Sequence, residues 1–402
     1  MKEEFSFKRI KQSGSARVGT INTPNGSVET PAFIFCATKA AIKAADIERI
    51  SEAGTQIILS NTYHLMLQPG ENTVAKTWWF AQGWNGPMLA DSDGYQIFSL
   101  GHGSVSEEIK GIRKKQKTLI KINEDGAIFR SYINGKIYCL TPEKSVQIQQ
   151  KLGADLILVL DECTSFHVSK EYTAKSMLMS HRWAERSLNE FEKNNNGKQA
   201  LYGISQGGVY QDLRRESCDF INDLPFFGQA IGGSLGQSKE QMHDVVSFTM
   251  DHLKKDRPTH LLGIGGIADI FRGVELGIDT FDCVHPTRLA RHGGALVKVK
   301  NRNSISSKCK EHINLRNQRF ELDNNPIESD CLCFTCRKHS RAYIHHLLKA
   351  KELLACTLVT IHNIFFMNKL MASIRQAILV DRLDREKNNW ISETPLHCEL
   401  YT

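Results

Sequence analysis

The sequence has no run of apolar residues that approaches membrane-spanning length, which argues against an integral membrane protein. Its first residues, MKEEFSFKRI, are charged and lack the apolar stretch of a secretory leader. It has no internal repeat and no low-complexity segment, which sets aside solenoids and disordered tethers. It also lacks a glycine-rich phosphate loop early in the chain, which speaks against a nucleotide cofactor. A cytoplasmic, reducing setting follows. There the eleven cysteines are free thiols or metal ligands rather than disulfides.

What is present is ordinary for a globular enzyme: 402 residues, 41% hydrophobic and 24% charged. The length accommodates two or three average domains, or one α/β barrel with insertions. It suffices for a large core without disulfides. The net charge of +7 suits a protein that touches phosphates, although many soluble enzymes are equally basic.

Short apolar runs, each the length of a buried strand, end in a glycine or polar cluster, with helical stretches between many of them. GTQIILSNTY, GPMLADSDGYQ, GADLILVLDEC, QALYGISQGG, GQAIGGSLG, THLLGIGG and IDTFDCVHPTR are such runs. Lys170 to Lys193 and Lys239 to Lys254 are amphipathic stretches between them. This alternation predicts a parallel α/β fold. The unusual polar residues fall at strand ends, as they do on the catalytic face of a (β/α)8 TIM barrel. An open doubly wound sheet is the alternative, and it lacks its expected phosphate loop.

We read residues 1–402 as one catalytic barrel domain with two insertions. The first, residues 101–140, reads as hairpins with turns at Asn123 to Gly126 and at Asn134-Gly135. The second is a metal-binding subdomain at about 303–365. The polar end, Glu386 to Thr402, is expected to fray.

Cys331, Cys333 and Cys336 form C-x-C-x2-C in the polar, loop-like segment ESDCLCFTC, where three thiols are not core fillers. Three soft thiolates need one more ligand for a tetrahedral zinc. His362, at the start of the helical stretch IHNIFFMNKLM, is the leading candidate, with His339, His345 and His346 competing. Four protein ligands leave no open position, so one such zinc would be structural. Cys309, Cys356 and the other cysteines read as buried thiols.

ETPAFIFCAT, QIILSNTYHLMLQPG, DSDGYQ, LDEC, ISQGG, AIGG, FDCVHPTR and the cysteine–histidine cluster occur in that order between residues 15 and 380. Together they resemble the tRNA-guanine transglycosylases (queuine tRNA-ribosyltransferases) of bacterial type. FDCV-x-PTR combined with the zinc cluster is the specific part. The resemblance implies a (β/α)8 barrel with a zinc-binding insertion near the C-terminus, and His362 as the fourth ligand. It implies exchange of the wobble guanine of GUN-anticodon tRNAs (Tyr, His, Asn, Asp) for a 7-deazaguanine, queuine or 7-aminomethyl-7-deazaguanine, in queuosine modification.

Carried over by residue, the resemblance makes Asp282 the nucleophile and Asp91 the general acid/base. Asp161, Gln206 and Gly233 would hold the base, beside Ser92, Asp93 and Gly94 of the DSDG turn. Tyr95 would stack on the base or line its pocket. Pro286, Thr287, Arg288, Leu289 and Ala290 would read the wobble guanine and its neighbours. Gly263, Ile264, Gly265, Gly266, Ile267, Ala268 and Asp269 would contact the RNA. The implied partners are the anticodon loop of tRNA, guanine and the 7-deazaguanine base, and a second copy of the chain in a homodimer. The apolar stretch Tyr343 to Ile374 fits either that interface or plain core.

The chemistry wants these residue types. Breaking a glycosidic bond builds positive charge on the sugar, which a carboxylate beneath the anomeric carbon stabilises and traps. A second carboxylate gives a proton to the leaving base and takes one from the incoming base. An acidic side chain accepts from the N–H edge of a purine-like base, while an amide and a backbone N–H donate to its carbonyl. The base has to leave the anticodon stack, which costs less in a single-stranded loop. Taken singly, an aspartate after a strand reads as a helix cap, and Arg288 and Arg291 as surface ion pairs. The basic runs Arg113-Lys114-Lys115 and Lys298 to Arg302 read first as solvated faces.

The sequence departs from the family pattern in three places. D-S-G-G is here Asp91-Ser92-Asp93-Gly94, which puts a possible negative charge beside Asp91 that would raise its acidity range. AIGGSLGQSK is shorter than the usual run and carries Gln237 where an acid helps set base choice, which favours queuine. His285 follows FDCV where an apolar residue is usual, and GIGGIAD replaces G-V-G-x-P-E-D. A non-catalytic RNA-binding relative would have lost the chemistry, whereas this chain keeps both Asp91 and Asp282. An archaeal-type enzyme would usually carry extra C-terminal RNA-binding domains.

Overall fold

The computed structural model describes residues 5–77, 83–102, 119–298 and 311–391. Arg113-Lys114-Lys115, residues 299–302 of the second basic run, Cys309 and the tail beyond 391 lie outside the described residues.

The chain starts with an antiparallel sheet of β1 (Ser6–Ser13), β2 (Ala16–Thr23) and β3 (Gly26–Thr30), then enters β4 (Ala32–Cys36). β5 (Ile58–Asn61) and β6 (Met88–Asp91) follow alongside it in parallel. A second antiparallel sheet, β7 (Leu119–Asn123), β8 (Gly126–Arg130) and β9 (Ile137–Leu140), interrupts the pattern. Then come β10 (Leu156–Leu158), β11 (Ala200–Ser205), β12 (Gly228–Ile231), β13 (Thr259–Leu261) and β14 (Thr280–Asp282). β14 pairs in parallel with β4, and eight strands close into a barrel. The fold is the (β/α)8 barrel expected from the alternation, and the open sheet is excluded.

The barrel strands are buried along their length, β11 at all six positions, as parallel strands covered on both faces must be. The helices between them bury one stripe. In Lys170–Lys193, capped by Ser169, the buried side chains include Thr173, Met177, Ser180, Ala184, Ser187 and Phe191, which recur at helical spacing. β14 is anchored at its root by Asp279, which takes two hydrogen bonds from the buried Arg17 of β2 and one from the Thr259 N–H at 2.7 Å. The pair is almost fully desolvated, so loss of either partner would strand a charge.

Of residues 101–140, read as the first insertion, 119–140 form hairpins at the two turns read from the sequence, Asn123 to Gly126 and Asn134-Gly135, while 103–118 lie outside the described residues. The second follows β14. The helix His285–Arg291 leads to the antiparallel pair β15 (Gly294–Leu296) and β16 (His312–Asn314), then to the helices Phe334–Lys338 and Arg341–Ala350. This region has its own core, including Ile313, Leu315, Phe320, Ile344, Leu348 and Val359.

The chain returns to the barrel through the helix Leu353–Leu379, which is long and apolar enough to cross a membrane by length and composition. The sequence reading missed this because polar residues such as Thr360, His362 and Asn363 interrupt the run. The share of its apolar window that is buried is 61%, and it packs on β1, β2 and β4, so it is a core helix. Part of the supposedly frayed end is also ordered. Leu383–Trp390 is a helix whose Trp390 is buried and meets Phe366 edge-on at 5.2 Å.

Candidate active site and metal centre

The C-terminal ends of the barrel strands bring together Asp91 at the end of β6, Asp161 after β10, Gln206 after β11, Gly233 after β12 and Asp282 at the end of β14. The opposite end holds a cavity lined by Phe5, Leu188, Phe191 and Phe227, far from these carboxylates.

Asp91 is held from two sides. Asn61, last residue of β5, caps the following helix through its side-chain oxygen, and this turns its Nδ2 to donate to Asp91 Oδ2 at 3.3 Å. The Asp93 N–H donates to Asp91 Oδ1 at 3.2 Å. Burial pushes Asp91 up to about 6; the Asp93 N–H pulls it down and the charge of Asp282 adds to the rise.

Asp93 does not act on Asp91 as expected. Its φ is +85°, a left-handed backbone that aspartate tolerates better than most residues. Its side chain is fully buried, and among the described residues neither carboxyl oxygen has a partner at good hydrogen-bond geometry, the Tyr63 backbone N–H giving it only weak support. Burial and then repulsion by Asp91 raise it well above the ordinary range, favouring the neutral acid. What it gives Asp91 is therefore a backbone donor rather than a neighbouring charge.

Gln206 Nε2 donates to Asp161 Oδ2. Burial, then the charge of Asp91, push Asp161 up to about 7. Two glycines make room for this pair. A Cβ on Gly94 would stand 2.7 Å from the Asp161 backbone oxygen and collide with its carboxyl. One on Gly233, whose φ is +75°, would collide with Gln206 Oε1. The loops themselves are tied by Arg214, buried in the helix Gln211–Asp223, which donates to the carbonyls of Gly208 at 2.8 Å, Ser205 at 3.2 Å and Gly232 at 2.9 Å. Tyr95 is 42% exposed at the rim.

Asp282 Oδ1 accepts the Gly263 N–H at 2.9 Å and lies 3.3 Å from His260 Nε2, while Oδ2 faces Cys36 Sγ at 3.7 Å. Of the residues expected at the RNA, Gly263 and Arg288 are exposed, whereas Gly265, Ile267, Asp269, Pro286, Thr287 and Ala290 are buried. Ile264, Gly266, Ala268 and Leu289 are intermediate. Asp269 is bound to Lys239 and His243, both at 3.1 Å, and the Ile267 and Ala268 N–H groups donate to Glu311. Asn61, Arg214, His260 and Glu311 were not singled out from sequence. Their partners are distant residues or backbone groups, and none stands in a pattern of like residues.

Cys331, Cys333, Cys336 and His362 are all buried, with one ligand atom from each lying within 4.8 Å of the others. His362 Nδ1 stands 3.7, 3.7 and 3.4 Å from the three sulfurs, close to the roughly 3.5 Å edge of a tetrahedron with zinc–ligand bonds of about 2.0–2.3 Å. Its Nε2 is 2.8 Å from the Leu296 carbonyl, which fixes the ring and leaves Nδ1 as the lone-pair side. The cluster can hold a metal ion. His345 instead bonds the Leu315 carbonyl at 2.8 Å, and His339 stacks on Tyr343. His362 lies inside its helix rather than at its start.

The family model for queuine tRNA-ribosyltransferase matches residues 12–395. A queuine tRNA-ribosyltransferase of Roseiflexus sp. is 44% identical, covering 96% of this chain and 98% of that protein. One from Protochlamydia amoebophila is 42% identical, covering 94% and 96%. A putative one from Archaeoglobus fulgidus is 39% identical, covering 95% and 98%. With a barrel, a strand-end carboxylate cluster and a three-cysteine, one-histidine centre in place, this chain belongs to the queuine tRNA-ribosyltransferase family of pentosyltransferases.

Proposed function

We propose that this protein exchanges the wobble guanine of GUN-anticodon tRNAs for a 7-deazaguanine by double displacement, in queuosine modification. The observation that carries the reading is the meeting of Asp91 and Asp282 at one barrel mouth with the Asp161–Gln206–Gly233 cradle. Asp282 attacks the anomeric carbon and forms a covalent aspartyl-tRNA intermediate. Asp91, poised at about 6, protonates the leaving guanine and takes a proton from the incoming base. The base sits in the cradle between Asp161, Gln206 and the Gly233 backbone, beside Ser92, Asp93, Gly94 and Tyr95. The exposed Gln237 offers no carboxylate to a cationic aminomethyl group, which supports queuine.

The anticodon loop lies over the loops Gly263–Asp269 and Pro286–Ala290, with Arg288 free to reach phosphate or base. One structural zinc sits on the four ligands and holds the subdomain at about 303–365 on the single catalytic unit. The exposed Leu322, Leu332 and Leu353 in that region support a homodimer, and the described cysteines, none of them in a disulfide, support a cytoplasmic setting.

The test mixes the protein with an anticodon stem-loop carrying U-G-U at the wobble position and radiolabelled guanine. Label should enter the RNA with the wild type and not with Asp282→Ala or Asp91→Ala, and unlabelled queuine should compete better than the aminomethyl base. Binding of the stem-loop without incorporation would leave a tRNA-binding subunit instead.

A further inference from the structure

We infer that His260 is the positioning residue of Asp282, held by Thr280 with its Nε2 against Oδ1 so that Oδ2 is the oxygen that attacks. The inference rests on the reading of Asp282 as nucleophile. His260 on β13 and Thr280 on β14 are register partners, and Thr280 and Asp282 share a face of β14 because they are two residues apart. His260 is 1% exposed, so it has no water-facing role. Its Nδ1 lies 2.9 Å from Thr280 Oγ1 and its Nε2 3.3 Å from Asp282 Oδ1. The Nε2 contact is at ion-pair distance but off the line of a straight hydrogen bond, and among the described residues Nε2 has no other partner.

Of the two neutral tautomers, only the Nε2–H form puts a donor against the carboxylate. The other opposes a lone pair to an anion. Thr280 selects the useful form when its hydroxyl donates to Nδ1. This is the logic by which a base is oriented through its second nitrogen, run here toward a nucleophile.

The consequence is an asymmetry between the two oxygens. Oδ1 faces the Gly263 N–H and His260, whereas among the described residues Oδ2 faces a thiol at 3.7 Å and no other donor. In the first displacement a bond forms from Oδ2 to the anomeric carbon as the bond to guanine breaks. The electron pair leaves with the base, which takes its proton from Asp91, and Oδ1 becomes the ester carbonyl. In the second, the incoming base loses its proton to Asp91 and displaces Oδ2, and the carboxylate charge returns to a group whose Oδ1 already faces the Gly263 N–H and His260.

The labelled-guanine exchange assay, run on the full-length protein with the same stem-loop, tests this. Thr280→Val, which keeps the shape and removes the hydroxyl, should lower kcat roughly 10- to 100-fold, the worth of one hydrogen bond to a charged group. KM for stem-loop and for guanine should hold within about twofold, and Thr280→Ser should recover most of the rate. His260→Phe should be at least as slow as Thr280→Val, and His260→Gln, which keeps an N–H donor, should be faster than His260→Phe. A Thr280→Val enzyme at wild-type kcat, a Thr280→Ser enzyme as slow as the valine variant, or a loss confined to KM would overturn the inference. If the wild type exchanges and Asp282→Ala does not, such a failure belongs to His260 alone. If the wild type incorporates no label, the reading of Asp282 falls with it.

Discussion

Replacing Asp93 by glycine should stabilise the protein, by an amount that grows with pH. Asp93 has a left-handed φ of +85°, is fully buried and, among the described residues, has no well-formed hydrogen bond to its carboxyl. The backbone penalty is about 1–2 kcal/mol, of which glycine's own entropy loss takes back about 0.5–1 kcal/mol. That part does not depend on pH. The carboxyl contributes differently. Its acidity range is raised in the folded state, so as pH rises the unfolded chain releases this proton first. The stability tied to the neutral acid is complete below about pH 4, and it is lost as pH rises toward the folded-state value, at about 1.4 kcal/mol per pH unit. The variant should therefore gain on the wild type as pH rises above about 4, beyond a small constant offset. Urea unfolding followed by tryptophan fluorescence at pH 4, 5, 6 and 7 measures this directly. A difference that stays flat across the series would refute a buried neutral Asp93. Asp93→Asn gives a kinetic counterpart. An uncharged side chain of the same shape should leave the rate limb near pH 6 within about 0.3 unit, because the backbone N–H to Asp91 remains. A fall of a full unit would mean that Asp93 is an anion.

Three further outcomes are expected. Gly94→Ala pushes a methyl against Asp161 and should raise KM for guanine about tenfold or more while KM for the stem-loop holds, and equal values for both would argue against the cradle. Arg214→Met removes the donor that ties Ser205, Gly208 and Gly232, and should cost about 2–4 kcal/mol in urea unfolding as well as weakening guanine binding. Unchanged guanine KM in the folded variant would mean that the loops hold without it. Metal analysis should find one zinc per chain. Cys336→Ser should lose it and lower the thermal midpoint, while the fraction still folded keeps base exchange, as fits a closed structural site. Exchange lost in step with the metal would instead place the zinc in the chemistry.

The barrel was legible because parallel strands covered on both faces read as unbroken apolar runs, and Ala200–Ser205 is such a run. The carboxylates were legible because each interrupts a run at its end. Residues acting from within an element were not. His260 stands inside THLLGIGG, which reads as plain buried strand, and Arg214 stands in a helix whose surface is strongly polar. Their partners are a hydroxyl on the next strand and a set of carbonyls, and backbone acceptors leave no trace in a side-chain pattern. Asp93 shows the same limit. Its acidic side chain was legible, but its burial depends on the packing around it, and burial favours the neutral acid and so removes the expected repulsion.

The barrel's seam carries Asp282, the carboxylate proposed to attack. β4 and β14 meet there, Asp282 opposite Ile34, and the helix Leu353–Leu379 straps the join through Asn368 to the Ala53 carbonyl and Arg375 to the Pro31 carbonyl, both at 2.9 Å. A strand near one end of the chain therefore waits for one made much later, and then for a helix made later still. A chain still being translated sits among tRNAs held by the ribosome. Its Asp282 is not yet clamped between neighbouring strands, so the proposed attacking group is assembled only after the helix Leu353–Leu379 has emerged.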